Sequence, residues 1–223
     1  MASCKWCGRS GWFLSVNTQG LCNSCKGIVN LELSSRLRII NDSVKLVEES
    51  KKVETRISRC DLLLQHLNEL LKYERRGIEA LNIPPSALIS RYASMRDQII
   101  VETLTKEYED AKQKLSLGGT VNSRVNALTK LLYKVHEYGA LAKDRAPSAA
   151  IERDINKEIQ HIQLSGYLDE AKKAEFKRQK KKALDKYYEA LYMLRHDDVD
   201  DSLQAESISF IEAKIRELGG EVK

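Results

Sequence analysis

Four of the five cysteines of this chain lie within its first 25 residues, in two C-x-x-C pairs. Cys4 and Cys7 form the first pair, and Cys22 and Cys25 form the second pair after a spacer of fourteen residues. Each pair places two thiolates in one tight turn, and this spacing is typical of a structural zinc site. Four thiolates fill a tetrahedral shell and leave no position for water or substrate. We therefore predict one structural, non-catalytic Zn²⁺ per chain.

Disulfide bonds are the alternative chemistry for these pairs. They would leave the fifth cysteine, Cys60, unpaired inside a predicted helix, where it is expected to be a buried and inert thiol. The N-terminus also lacks the apolar core of a secretory signal, and disulfides persist mainly in oxidising compartments. We therefore favour the metal site. We also expect the segment to unfold without its metal, because so short a segment has almost no core of its own.

The spacer between the two pairs has the composition of a short β-hairpin. Residues 12–16 are predicted to form one strand, and Asn17 to Gly20 are predicted to form the turn. A helical pattern begins directly after Gly27, so the second pair should lie at a helix N-terminus. This order resembles a treble-clef zinc finger, and a zinc ribbon with a strand after the second pair is the alternative. The resemblance covers about 25 residues and implies a metal-binding module that contacts DNA, RNA or protein, or only supports the fold.

Both tryptophans of the chain, Trp6 and Trp12, lie in this segment. Each is expected to cover the metal site or to pack on the following helix. A sharper hypothesis makes one of them an exposed contact residue, since tryptophan is enriched at interfaces. Trp6 is the better candidate for that role, because residues between the ligands of a tight turn tend to point outward.

The composition of the chain predicts a mainly α fold. Charged residues make up 31% and hydrophobic residues 42% of the chain, with only three prolines. No run of about 18 apolar residues is present, so we expect no membrane span. Cysteines that form no disulfide bonds are typical of a reducing compartment, and the N-terminus has no signal pattern. We therefore expect a cytoplasmic protein. The net charge of +5 is uneven, because residues 1–27 contain no acidic side chain.

The segment 28–81 is predicted to be one long, coiled-coil-like helix. It contains no proline, and its apolar residues recur in alternating steps of four and three. The stripe comprises Leu33, Leu37, Ile40, Val44 and Val47, and then Val53, Ile57, Cys60, Leu64, Leu67 and Leu71. The step from Val47 to Val53 is six residues instead of seven, which predicts a local bend. Such a stripe needs later helices or a second copy of the chain, so a homodimer is one expectation.

The remaining chain is predicted to form a helical bundle segment over 82–166 and a helical hairpin over 167–223. Asn82 and the following prolines interrupt the first helical pattern. The expected helices then cover about 86–115, 121–143, 147–166 and 168–194, and Gly166 is expected to end the third of these. A last helix is expected to be capped by Asp201, with Gln204 completing a capping box, and to end near residue 218.

A basic run is the strongest charge cluster. It contains Lys172, Lys173, Lys177, Arg178, Lys180, Lys181 and Lys182. On a single helix these side chains would spread over more than one face, which is typical of a solvated surface. The alternative is a patch that contacts nucleic-acid phosphates without reading sequence. The acidic run 196–201 lacks the glycine and final glutamate of an EF-hand and is expected to be a polar turn.

No catalytic motif accompanies these features, and the four histidines are scattered along the chain. We therefore expect a non-enzymatic, zinc-binding interaction protein that acts as an adaptor or scaffold. Its partner is expected to be a different protein or a second copy of this chain. The alternative is a nucleic-acid-binding regulator that uses the finger and the basic run.

Overall fold

The computed structural model describes residues 1–197, 202 and 204–222. Within these residues the fold is mainly α, as predicted, with seven helices and one small antiparallel pair of strands, Ala2 opposite Gly11 and Ser3 opposite Ser10. The elements are β1 (Ala2–Ser3), β2 (Ser10–Gly11), α1 (Asn23–Glu49), α2 (Val53–Glu74), α3 (Pro85–Ser116), α4 (Val121–Leu141), α5 (Ala146–Phe176), α6 (Lys180–Arg195) and α7 (Ala205–Glu217). The chain forms two compact units. The first contains Met1–Lys106 and His136–Ala149, and the second contains Glu107–Val135 and Ala150–Lys223.

The prediction of one long helix over 28–81 is wrong. The chain reverses at residues 50–52, and α1 and α2 pack against each other as an antiparallel hairpin. The guanidinium of Arg56 donates to the carbonyl of Val47 at 2.9 Å and satisfies an acceptor at the end of α1. The reversal lets each helix bury its apolar stripe against the other, which a continuous helix could not do. The six-residue step from Val47 to Val53 marks the turn itself.

The stripes of both helices form the core of the first unit, as predicted. Leu33, Leu67 and Tyr73 are buried in one hydrophobic cluster, which α3 joins through Tyr92. Each fully buried leucine of this kind contributes roughly 1.5–3 kcal/mol. Cys60 is fully buried, and its burial raises the pKa of the thiol to about 11. The expectation of an inert thiol at this position is consistent with that environment.

Two aspartates fix α3 within the first unit. Arg96 of α3 donates to Asp61 of α2 at 2.6 Å. The carboxylate of the next residue, Asp97, accepts the backbone N–H groups of Lys143 and Asp144, just beyond the end of α4. These charge-assisted bonds orient the helix by contacts that apolar packing alone does not specify.

Gly166 does not end a helix, contrary to the prediction. It lies inside α5, which continues to Phe176. A Cβ atom at position 166 would lie 2.7 Å from Cγ2 of Val121, so glycine allows the close approach of α4 and α5 in the second unit. The helix ends instead with Arg178 in the left-handed conformation, φ 55°. The backbone N–H of Gln179 donates to the carbonyl of Ala174 there, as in a Schellman motif.

The C-terminal helices α6 and α7 form a hairpin. Its first helix is shorter than the predicted 168–194, because residues 168–176 belong to α5 and α6 begins at Lys180. Tyr187, Leu191, Ile211 and Ile215 belong to its buried cluster. The predicted capping residue Asp201 lies outside the described residues. Gln204, its expected partner, donates its side-chain amide to Asp197 and precedes α7 without a side-chain cap.

Candidate metal centre

The four N-terminal cysteines come together, as their spacing predicts. Their Sγ atoms all lie within 4.8 Å of one another, and those of Cys7 and Cys22 are 4.0 Å apart. In a tetrahedral site with Zn–S bonds of about 2.3 Å, the sulfurs are separated by about 3.8 Å. The cluster Cys4, Cys7, Cys22 and Cys25 therefore has the donor set and nearly the spacing that a tetrahedral metal ion requires.

Each pair is held by its own backbone turn. In the first turn, the N–H of Gly8 donates to the carbonyl of Cys4 at 2.9 Å, and Gly8 adopts φ 71°, which favours glycine. The second pair lies at the start of α1, where Cys22 is the N-cap residue and Cys25 lies in the first turn. A helix, and not a strand, therefore follows the second pair. This arrangement is consistent with a zinc finger whose second cysteine pair begins a helix.

The predicted strand over 12–16 is not present. The two short strands β1 and β2 flank the first cysteine pair, and the spacer contributes one isolated bridge between Val16 and Cys22. The predicted turn from Asn17 to Gly20 is confirmed. It closes tightly because the side chain of Asn17 accepts the N–H of Leu21 at 2.8 Å. This early closure limits the pairing to one bridge and leaves Trp12 outside any strand.

The environment of the thiols favours a bound cation. The N–H of Cys22 donates to Sγ of Cys4 at 3.3 Å. Hydrogen bonds from the backbone of Cys7 and Cys22 lower the pKa of the Cys4 thiol to about 6. Burial and the neighbouring sulfurs raise the pKa of Cys25 to about 12. Without a cation, four clustered thiols cannot all ionise, whereas a divalent ion stabilises every thiolate in the set.

Trp6 is not the exposed contact residue that its position suggested. It is partly buried against the core of the first unit, with its ring stacked on Tyr73 of α2 at a centroid distance of 4.9 Å. The guanidinium of Arg76 lies 4.2 Å from the centroid of the same ring. The Nζ of Lys5 also donates to the carbonyl of Gly77 at 2.6 Å. The first cysteine turn is thereby attached to the end of α2. The sequence predicted packing on α1, the helix that directly follows the cysteines.

A carboxylate beside this contact ties α1 to α2. Glu32 of α1 accepts hydrogen bonds from Lys72 at 2.7 Å and from the hydroxyl of Tyr73 at 2.6 Å. Together with Arg36 these donors lower the pKa of Glu32 to about 2. The tyrosine on which Trp6 stacks is therefore held in place through its hydroxyl.

Trp12 and Phe13 are the exposed aromatic residues of the finger. The hypothesis that one of the two tryptophans is exposed therefore applies to Trp12 and not to the preferred Trp6, and Phe13 was not predicted to have this role. Trp12 is 84% exposed and Phe13 is fully exposed. Their positions carry a signal that could have been used. Two adjacent large aromatic residues in a spacer bounded by metal ligands have no core of their own into which to fold.

The basic run does not lie on one helix. Lys172 and Lys173 are in the last turns of α5, Lys177 and Arg178 are in the connection, and 180–182 begin α6. All seven side chains are exposed. The run therefore covers a helix–turn–helix corner of the second unit.

Comparison of the chain with known protein families, with curated proteins and with solved structures finds no match. Among the described residues, no helix is both long enough and apolar enough to cross a lipid bilayer.

Proposed function

We propose that this chain is a non-enzymatic interaction protein, an adaptor or scaffold of the cytoplasm, in which a zinc-bound treble-clef finger presents a contact surface. Residues 1–27, which we call the finger, share one hydrophobic cluster with α1 and α2. Cys4, Leu21 and Cys22 of the finger belong to the same buried set as Val29 and Leu33 of α1. The finger is thus packed on the α1–α2 hairpin, and a surface that is already folded needs little ordering when a partner binds.

Zinc is the metal that the donor set supports best. Four thiolates in a compact, closed set favour Zn²⁺ over the hard cations, which take oxygen ligands. A closed set leaves no coordination position for a reacting group, so the proposed role of the metal is structural.

Elemental analysis of the purified protein tests this assignment. We expect one equivalent of zinc per chain in the wild type and in Cys60→Ser, whose cysteine lies outside the cluster. We expect loss of most of the zinc in Cys22→Ser. A wild-type protein without zinc, or full zinc retention in Cys22→Ser, would contradict the assignment.

The observation that carries the interaction function is the exposure of Trp12 and Phe13 on a turn held by metal ligands. Exposed aromatic side chains at one site mark contact surfaces more often than isolated ones do. Affinity purification from the native host, with quantitative mass spectrometry and nucleic-acid recovery, tests the proposal. Trp12→Ser/Phe13→Ser should lose bound material that wild type retains, while Tyr133→Ser, which removes an exposed tyrosine of α4, should not. Identical recovery from all three zinc-loaded proteins would refute the proposal.

A second candidate function is phosphate binding by the basic run, and the exposure of all seven side chains favours it. Changing Lys180, Lys181 and Lys182 together to Gln should weaken binding to all nucleic-acid sequences alike and flatten its salt dependence. Unchanged affinity and an unchanged salt slope would make this corner a solvated surface only.

A further inference from the structure

We propose that the finger binds single-stranded nucleic acid, with bases stacked on Trp12 and Phe13 and phosphates contacted by Arg9 and Lys26. This inference rests on the proposed interaction function and names the partner of the same surface. It departs from the second candidate above, because it assigns the binding to the finger and not to the basic run.

The aromatic pair forms a pre-ordered platform. Trp12 and Phe13 follow β2 directly, and the chain is held again at the bridge between Val16 and Cys22. Strand pairing thus fixes the turn on one side and a metal-ligand residue fixes it on the other. A short segment that is restrained at both ends loses little conformational freedom when a ligand binds. Two exposed aromatic faces on such a segment provide stacking sites for unpaired bases, and stacking tolerates any base because each has a π-face.

The charge around this platform favours a polyanion over a basic or neutral partner. Residues 1–31 contain no aspartate or glutamate. The first carboxylate, that of Glu32, is engaged by Lys72, Tyr73 and Arg36. Arg9 and Lys26 are both exposed. Their cations lie in the same acid-free segment of the sequence as the aromatic pair, and this local excess of positive charge favours a ligand that carries phosphates beside its bases.

The charge of the metal site itself does not cancel this potential. Four thiolates with a divalent ion leave two negative charges, and the backbone N–H of Cys22 partly shields them by donating to Cys4. Lys5, Arg9 and Lys26 lie on the finger, and exposed Arg75 and Arg76 lie at the end of α2 that the finger contacts. Glu74 and Glu79 offset Arg75 and Arg76 at the end of α2. The three basic side chains of the finger itself exceed the two negative charges of the metal site, which leaves the finger weakly cationic.

Unpaired strands are favoured over duplexes because the platform reads base faces. In a duplex the faces are stacked on one another and only base edges are accessible in the grooves. A protein usually reads a duplex with a helix placed in the major groove. The helix α1, which begins at the metal site, packs Val29 and Leu33 into the core of the first unit, so we assign it a scaffold role and not that of a groove-reading helix. A small footprint and weak sequence preference are expected from stacking combined with phosphate contacts.

The test uses the full-length, zinc-loaded chain with a fluorescein-labelled 12-nucleotide thymidine oligonucleotide and a matched 12-base-pair duplex. Anisotropy gives affinities from 50 to 200 mM salt. The difference in tryptophan emission between wild type and Trp12→Phe, which retains only Trp6, reports on Trp12. We expect the single strand to bind more tightly than the duplex and to quench emission. Trp12→Ala and Phe13→Ala should each weaken binding by about 5- to 150-fold. Trp12→Phe should keep most of the affinity while losing the quenching, because the stacking face remains.

Charge variants and controls separate the two basic regions. Arg9→Gln/Lys26→Gln should reduce the slope of log affinity against log salt by about 1.4, since each single-strand phosphate contact contributes about 0.7. Lys51→Gln/Lys52→Gln, which removes two exposed lysines at the α1–α2 turn, is the matched control and should leave the affinity and the slope unchanged. A smaller slope in Lys180→Gln/Lys181→Gln/Lys182→Gln, together with an unchanged slope in Arg9→Gln/Lys26→Gln, would assign the phosphate contacts to the basic run and overturn the inference. Every variant must retain its zinc.

Besides that charge-variant outcome, three results would overturn the inference: no oligonucleotide affinity at 50 mM salt, preference for the duplex, or unchanged affinity in zinc-loaded Trp12→Ala/Phe13→Ala. The affinity purification separates this failure from failure of the proposed interaction function. If one of these results occurs, but Trp12→Ser/Phe13→Ser fails to retain a protein that the wild type binds, the interaction function stands and that protein is the partner. If no bound material depends on these residues, both proposals fail.

Discussion

The close approach of Gly166 to Val121 supports a sharp prediction about packing in the second unit. In an exposed helix interior, replacement of glycine by alanine stabilises by about 1 kcal/mol. At position 166 the new Cβ would meet Cγ2 of Val121 at 2.7 Å and Cγ1 at 3.3 Å. Valine has little χ1 freedom with which to move these methyl groups away. The resulting overpacking costs about 1–3 kcal/mol. Gly166→Ala should therefore lower the free energy of unfolding by about 1 kcal/mol.

Removal of the two methyl groups should reverse the sign of this effect. In a Val121→Ala background the nearest remaining atom is Cβ of residue 121, at an ordinary contact distance of 3.5 Å. Gly166→Ala should then stabilise by about 1 kcal/mol through helix propensity alone. The difference between the two backgrounds, about 2 kcal/mol, is the coupling free energy between the two positions.

Urea unfolding of wild type, both single variants and the double variant measures this coupling, with helix content followed by far-UV circular dichroism. Gly27→Ala is the matched control, because a Cβ at that position of α1 would meet no atom within 4 Å. It should stabilise by about 0.5–1 kcal/mol. If Gly166→Ala in the wild-type background stabilises as much as Gly27→Ala does, the reasoning is wrong and Gly166 is not a packing residue.

Three further predictions concern stability. Leu67→Asp should place an unpaired carboxylate in the core of the first unit and cost several kcal/mol; an unchanged melting temperature would contradict the assigned packing. Arg178→Gly should stabilise by about 1 kcal/mol in urea unfolding, since φ 55° disfavours a residue with a Cβ, whereas destabilisation would refute strain there. The depressed pKa of Glu32, about 2, makes its contribution to stability complete above about pH 5 and lost as pH falls toward 2. The stability difference between wild type and Glu32→Gln should therefore shrink between pH 5 and pH 3, and a constant difference would count against the ion-pair network.

The parts of the fold that could be predicted are those that local sequence encodes. The apolar stripes of α1 and α2, the interruption before Pro85 and the cysteine cluster all follow from residue type and spacing. The chain reversal at 50–52 could not be predicted with the same certainty, because that segment contains neither glycine nor proline. Its cause is tertiary: two amphipathic helices bury more apolar surface as a hairpin than as one rod.

The misassigned helix end at Gly166 has the same kind of cause. Glycine signals both a helix end and a close contact between backbones, and only the position of Val121 shows which applies. The true end at Arg178 carries no local signal, because the left-handed residue there is not glycine. In the finger, the ligands were predictable, while the packing of Trp6 depends on Tyr73, which is remote in sequence.

The contact of the finger with the end of α2 has a consequence for the order of events during protein synthesis. All four metal ligands are in place once Cys25 has emerged, whereas Tyr73 and Gly77 follow only after both helices of the hairpin. At roughly 5–20 residues per second, several seconds separate these steps. The nascent chain can therefore capture its metal before α2 exists. A finger that binds its metal at this stage gives the hairpin a preformed surface on which to close.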